Sequence, residues 1–391
     1  MDFELSEDQR AIAQMADGLF VDHCHDDYMR QWDTSGEPMM APLWALCIET
    51  GLHALAIPEE HGGSGLGMTE LMLVLQAQGK ALAQVPLWRH QLAAATLAGF
   101  GADDSAGWVA KAASGEALLS LSVDGLSSAL GIELHARPCA EGWSINGRVA
   151  ALALGDQSQA ALVLVEAESQ PRLLLLDLSA PEIQRVSAVL THGEAVADLH
   201  IQGLTVSTTA MLPSEAVAWL ELRCTAALAA LQLGVSEEQI RRTVAYVSER
   251  RQFERSIGSF QAVQMSMADT HIAVEALRTT LWQLVYRIDA GLPAPSEALA
   301  TAWLACEAGH RIGHIAQHVH GGIGVDLTYP IHRFLYWSRG LSLALGGSAA
   351  NLERLGDWLN DNDKLGWKYD LEEHQAPVSY THLTLPTNRE V

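Results

Sequence analysis

The chain has 391 residues, 49% of them hydrophobic, which is enough for two or three domains with substantial cores. Its 24 Lys+Arg against 47 Asp+Glu give a net charge of −23. So acidic a chain excludes non-specific binding to nucleic acid or to an anionic membrane, and confines its arginines to local roles.

In chain order, residues 3–113 read as helical, with apolar residues at helical spacing over 4–20, 43–50 and 69–83. Between the last two, Pro58 and the glycines at 62, 63, 65 and 67 make an irregular loop. It follows no strand and carries no Walker lysine, so it predicts a helix connection rather than a phosphate cradle. From 116 to 209 the pattern changes to short apolar or alternating runs at 117–123, 143–149, 160–165, 173–178 and 199–206, divided by Gly, Pro, Asp and Ser clusters. Such runs predict a small β-barrel or sandwich of antiparallel strands.

After Pro213 the chain turns helical again. A long helix capped by Ser214 is predicted to bury Leu228, Leu231, Val235, Ile240, Val244 and Val247 and to stop near Phe253. A second helix over 261–289 follows a serine cap at Ser259, a third covers 296–318, and a fourth covers 340–359 with Gly346 and Gly347 as a weak point inside it. Four such helices predict an antiparallel bundle. The expected fold is α+β, mainly α: an all-α domain at 1–113, a middle β domain at 114–210, a four-helix bundle at 211–360, and a tail at 361–391. The last run, 377–391, shows no helical period and is expected to be unstructured and foreign to the native sequence.

The link RRQFERSIGSFQ at 250–261 joins the first two bundle helices. It concentrates Arg250, Arg251 and Arg255 with Gln252 and Gln261 at a helix junction, donors that suit a phosphate or pyrophosphate. The alternative reading is a solvated connection. Five cysteines without a C-x-x-C pair fit reduced structural thiols, and sixteen histidines without a carboxylate at ligand spacing give no metal site. The acidic start at Asp2, Glu4, Glu7 and Asp8 has no signal-peptide pattern and no uninterrupted apolar run reaches membrane-spanning length, so a cytoplasmic location is expected.

The order of these parts, with FELSEDQ at 3–9, GLHALAIPEEHGGSG at 51–65, RRQF at 250–253 with Phe260 and Gln261, and HGGIG at 320–324 with Tyr329 and Pro330, resembles the acyl-CoA dehydrogenase family over residues 1–360. The resemblance implies a dimeric or tetrameric FAD enzyme in which a glutamate removes the α-proton of an acyl-CoA thioester while a hydride passes to the flavin. It implies that Arg250, Gln252, Phe253, Phe260, Gln261, His318, Gly321, Gly322 and Ser348 contact FAD shared across a subunit interface. His318 stands where the family usually has Gln. Electron-transfer flavoprotein is implied as the electron acceptor.

Departures from the family are as informative. The usual glutamate position falls on Leu345 or Gly346 within LGGS at 345–348, and neither takes a proton. The family's alternative position matches Cys224, with Glu221 one turn earlier as the only nearby acid. The Thr-Glu-Pro run that cups the flavin is replaced by SLSVDG at 120–125, and the Trp-x-Thr strand on the flavin ring by VAALAL at 149–154. Glu254 replaces a glycine and adds a like charge near the phosphate. The chain thus resembles the glutamate-lacking subunits of actinobacterial heteromeric, steroid-type acyl-CoA dehydrogenases, α2β2 assemblies in which a sister subunit supplies the base. Two alternatives remain open: a homotetramer with Glu221 as displaced base, and a flavin-free acyl-CoA-binding or scaffold protein.

Overall fold

The computed structural model describes residues 4–127 and 130–362. The expectations for the tail at 363–391 fall outside the described residues.

The chain opens with six helices: α1 Glu7–His23, α2 Asp26–Trp32, α3 Ala41–Glu49, α4 Met68–Ala81, α5 Leu87–Phe100 and α6 Ala106–Ala113. A reciprocal capping box starts α1: Ser6 Oγ accepts from the Gln9 amide, and Gln9 Oε1 accepts from the Ser6 amide. The glycine loop before α4 is a connection, as its sequence predicted. Its amides are turned onto its own chain, with Gly65 N–H donating to Ile57 O at 2.8 Å and Leu66 N–H to Leu55 O at 2.8 Å.

Seven strands follow: β1 Leu119–Ser122, β2 Leu134–Cys139, β3 Gly142–Ala153, β4 Ala160–Ala167, β5 Gln170–Asp177, β6 Ile183–Val189 and β7 Ala195–Val206. They form one mixed sheet in the order β1-β4-β2-β3-β7-β6, with β5 on the other side of β4. The expectation of purely antiparallel pairing is corrected here, because β4 runs parallel to both β1 and β2. Tight turns force antiparallel neighbours only between consecutive strands, and the β2–β3 hairpin lies between β1 and β4. One face of the sheet buries Ile145, Leu152, Val163, Val165, Leu174 and Leu199 in a core of its own.

The C-terminal part is α7 Glu215–Glu249, a two-stranded hairpin of β8 Arg251–Gln252 and β9 Arg255–Ser256, α8 Gln261–Asp289, α9 Pro295–His320, α10 Ile331–Ala344 and α11 Ser348–Asp361. Several sequence expectations are corrected. Helix α7 stops at Glu249, short of Phe253, because the chain leaves helical angles at Arg250 and turns into the hairpin. Val244 is 44% exposed rather than on the buried face. Neither serine caps through its side chain: Ser214 Oγ turns to Glu215, and Ser259 Oγ donates to Ser256 O. The fourth bundle rod is two helices, α10 and α11, since Gly346 and Gly347 take φ of +83° and +84° and stop the helix between them.

Helix α7 is long and apolar enough to cross a membrane by composition, but 67% of that stretch is buried inside the protein, as in the central helix of a globular core. It lies directly on α4, where Gly79 and Gly234 let the two backbones meet. Helix α8 reaches the glycine loop through Asp289, whose carboxylate accepts from the Met68 and Thr69 amides at 2.8 and 3.0 Å and so caps α4.

The junction between the helices and β1 is made by a buried histidine. His90 is 0% exposed, its Nδ1 accepts from the Leu119 amide, and its Nε2 donates to Ala112 O. Burial, with His53 stacked beside it, pushes its imidazole down to about 3. Below the ordinary value of about 6.5 the unfolded chain takes up a proton that the folded chain refuses, so stability falls as pH drops from 6.5 towards 3. Urea titrations at pH 7 and pH 5 are expected to show this as a loss of about 1 to 2 kcal/mol from His90 alone. A His90→Gln chain that lost stability just as steeply would remove His90 as the cause.

Candidate functional site

Three parts of the structure bear on the chemistry. The first is the link. Gln252 pairs with Arg255 across the hairpin, leaving Phe253 and Glu254 as a two-residue turn with φ of +53° and +66°. Both central residues at positive φ define a type I′ turn, which asparagine and glycine adopt far more readily. Phe253 is thereby 85% exposed. Arg251 Nη2 donates to Glu254 O at 2.5 Å, and the Arg255 guanidinium lies 3.9 Å from the Phe260 ring centroid. Arg250, Gln252 and Gln261 are exposed, and their side chains have no hydrogen-bond partner among the described residues.

The glycine turn after α9 stands beside this link. Tyr246, one turn before Arg250, stacks on His320 with ring centroids 4.3 Å apart. His318, Gly321 and Gly322 are exposed there, and a Cβ on either glycine would meet nothing within 4 Å. Ser348 is not part of this cluster: its hydroxyl donates to Glu307 on α9 at 2.5 Å. The exposed, unpartnered donors of Arg250, Gln252 and Gln261 fit a diphosphate, which takes charge-assisted hydrogen bonds from a fixed frame.

The second part is the base position. Leu345 is buried, and Gly346 is pressed against the β-sheet domain, where a Cβ would lie 2.5 Å from Ser127 Cβ. Residue 346 therefore has no room for a glutamate side chain. Burial pushes the Cys224 thiol up, so it stays protonated. Glu221 is held by Arg354 of α11 at 2.6 Å. Beneath that ion pair lies a largely apolar cavity of about 420 Å³.

The third part comprises the two stretches that the resemblance sets against a flavin ring. Leu152, Ala153 and Leu154 are buried, and Ser120 Oγ donates to Ala153 O at 2.5 Å. Across from them Arg89 of α5 forms an ion pair with Glu194 of the β6–β7 turn, and the two hollows lined by these stretches measure about 20 and 70 Å³. Burial pushes the Glu194 carboxyl up, but Arg89 and His192 together outweigh it and leave it at about 2. His192 of the same turn lies on Gly340 of α10, where a Cβ would stand 2.4 Å from its Nδ1. Neither hollow is large enough for a flavin ring, whereas the free donors of the link have the chemistry a diphosphate needs. Nothing in the sequence marks Arg89, His192, Glu194 or Arg354 for these roles, since each meets its partner from a distant segment.

The family model for the N-terminal domain of acyl-CoA dehydrogenases matches residues 6–116, and that for the C-terminal domain matches residues 224–359. Acyl-CoA dehydrogenase FadE27 of Mycobacterium tuberculosis is 33% identical over 367 residues, covering 91% of this chain and 98% of the relative. FadE28 of the same organism is 26% identical over 366 residues, with the same coverage. Among solved structures, the ChsE4–ChsE5 complex from Mycobacterium tuberculosis superposes with a TM-score of 0.88 at 33% identity, over 92% of this chain and 99% of that one. A variant of the Tcur3481–Tcur3483 steroid acyl-CoA dehydrogenase gives 0.86 at 33% identity, with the same coverage. With its helices, curled sheet and helical bundle in the order of these proteins, the chain belongs to the acyl-CoA dehydrogenase family of FAD-dependent oxidoreductases.

Proposed function

We propose that this chain is the non-catalytic partner in a heteromeric acyl-CoA dehydrogenase, where its hairpin and glycine turn complete the FAD site of a sister subunit. The observation that carries the proposal is the split between the two halves of the cofactor's ground. The link keeps unpartnered donors at its surface, while the ring stretches of the same chain are closed by Arg89 and Glu194. The relatives support it: two of the similar structures are described as two-component assemblies, one of them a steroid acyl-CoA dehydrogenase. Steroid side-chain CoA thioesters are the proposed substrates on that likeness, with electron-transfer flavoprotein as acceptor.

FAD, when bound, supplies the hydride acceptor. This chain's part is to hold the cofactor: Arg250 engages its diphosphate by charge, Gln252 and Gln261 by amide hydrogen bonds, and Phe253 makes apolar contact with FAD across the interface. His318, Gly321 and Gly322 extend that surface. The proton is taken by a glutamate of the sister chain, because Leu345, Gly346 and the protonated Cys224 offer no base.

Expressed alone, the chain is expected to bind little FAD, and co-expression with its sister is expected to give one FAD per pair. Stoichiometric flavin absorbance in the isolated chain would overturn the proposal. The displaced-base alternative is tested by Glu221→Gln. Glu221 stands three residues before Cys224, about 4.5 Å along the helix, and its carboxylate is engaged by Arg354. Turnover of the assembled complex is therefore expected to stay within a few fold of the parent. A collapse with flavin and assembly intact would make this chain the catalytic subunit.

A further inference from the structure

A groove of about 770 Å³ lies where the segment between α2 and α3, strand β6 and helix α10 meet, within the range of small-molecule sites, roughly 300–1,000 Å³. It contains neither base position, no residue of the link and none of the two stretches set against a flavin ring, so the function proposed above leaves it unused. Its floor is built from buried side chains of α10: His332, Arg333 and Trp337 are each 7% exposed. Tyr336 meets His332 edge to face with ring centroids 5.6 Å apart, and Trp337 meets His192 in the same way at 5.8 Å. Trp32 of α2 adds a further ring to the wall.

The charges around these rings do not cancel. Arg333 is held by Asp33, which accepts from its Nε and Nη2 at 2.7 Å, and Arg30 pairs with Asp27 at 3.4 Å. Histidines aside, the remaining charged lining residues are Glu37 and Asp156, whose carboxylates have no ion pair or hydrogen bond among the described residues. His332 Nδ1 donates to Tyr329 O at 2.8 Å, so Nε2 of the neutral ring is an acceptor, and it has no partner among the described residues. The groove therefore offers aromatic faces, two unpaired carboxylates and a free acceptor nitrogen, while both of its arginines are already paired.

We infer that this groove binds a free organic cation with a flat aromatic body, of the class of protonated heteroaromatic amines. The faces of Trp32, Tyr336 and Trp337 carry negative charge density, which stacks on a flat ring and attracts a positive one. Glu37 and Asp156 add full charges of the same sign at the rim, and His332 Nε2 accepts a hydrogen bond from a ligand N–H. A carboxylate or phosphate ester would instead meet two unpaired carboxylates and no free cation. A neutral aromatic of the same shape gains the ring contacts alone. The site lies within a single chain and does not rest on the partner assignment, so failure of either reading leaves the other standing.

The test is equilibrium dialysis of the full chain against three tricyclic probes of nearly one shape: 9-aminoacridine, a cation at neutral pH, 9-anthracenemethanol, which is neutral, and anthracene-9-carboxylate, an anion. The cation is expected to fill one site per chain and to bind roughly tenfold more tightly than the neutral probe, with the anion weakest. Glu37→Gln combined with Asp156→Asn is expected to weaken the cation roughly fivefold and to leave the neutral probe unchanged. Both residues are exposed, so this variant keeps its fold. Glu59→Gln combined with Glu60→Gln removes two exposed acids that do not line the groove, and is expected to change nothing. Tyr336→Leu is expected to weaken the cation and the neutral probe together, and the charge variant keeps the test open should that chain misfold. Cation binding unchanged in the Glu37 and Asp156 variant, an equal loss in the Glu59 and Glu60 control, or an anion bound as tightly as the cation would overturn the inference.

Discussion

Replacing Arg250 with alanine is expected to lower the FAD affinity of the assembled complex roughly ten- to hundredfold, the range of one charge-assisted hydrogen bond. The argument rests on what Arg250 lacks. Its neighbours Arg251 and Arg255 are engaged locally, one on the Glu254 carbonyl and the other on the Phe260 ring, whereas Arg250 has no side-chain partner among the described residues. Removing it should leave the fold alone, because it is exposed and its own amide still donates to Tyr246 O. Flavin retained after gel filtration, with an unchanged melting temperature, measures both halves of the expectation. Full retention would take Arg250 out of the site.

Gly234→Ala is expected to have the largest effect on the fold, about 3 kcal/mol or more of lost stability. A Cβ on Gly234 would lie 2.0 Å from Gln76 O, and one on Gly79 would lie 2.2 Å from Leu231 O. The clashing atoms are backbone in both cases, so no side chain can rotate away and α4 and α7 must separate. A domain has only about 5–15 kcal/mol of net stability, so a loss of this size should show as a lower urea midpoint and a weakened hold of the N-terminal helices on the bundle. Gly99→Ala is the control. It sits near the exposed end of α5 with nothing within 4 Å, where alanine's better helix propensity should leave stability unchanged or slightly raised. Equal stability of the two variants would show that the helices adjust without cost.

The sequence was most legible where local chemistry punctuates it. Helix α8 is read at Gln261–Asp289, its observed bounds, because the link precedes it and Gly291 and Pro293 follow. Strands β2 and β6 went unread. β2 exposes His135, Arg137, Pro138 and Cys139, and β6 is an edge strand with only Ile183 buried, so neither shows a clear alternation. The double glycine was read as a weak point, but its φ angles make it a full break. At the site, the donors of the link were legible from composition. The closure of the ring stretches was not, because it depends on Arg89 meeting Glu194 across 105 residues and on His192 settling on Gly340. The absent base could be read directly, whereas Arg354, which engages Glu221 from 133 residues away, could not.

Under the proposed assembly, the turn at Phe253 and Glu254 is subject to two opposed selections. Two side-chain-bearing residues at positive φ cost about 1–2 kcal/mol each relative to a relaxed backbone. A drift to Asn-Gly would relieve that strain and make the isolated chain more stable, while deleting the exposed ring. Lineages in which the chain must survive alone should therefore lose Phe253, and lineages in which it is made alongside its partner should keep it. On that proposal, retention of Phe253 in a strained turn is expected to track the presence of a sister subunit.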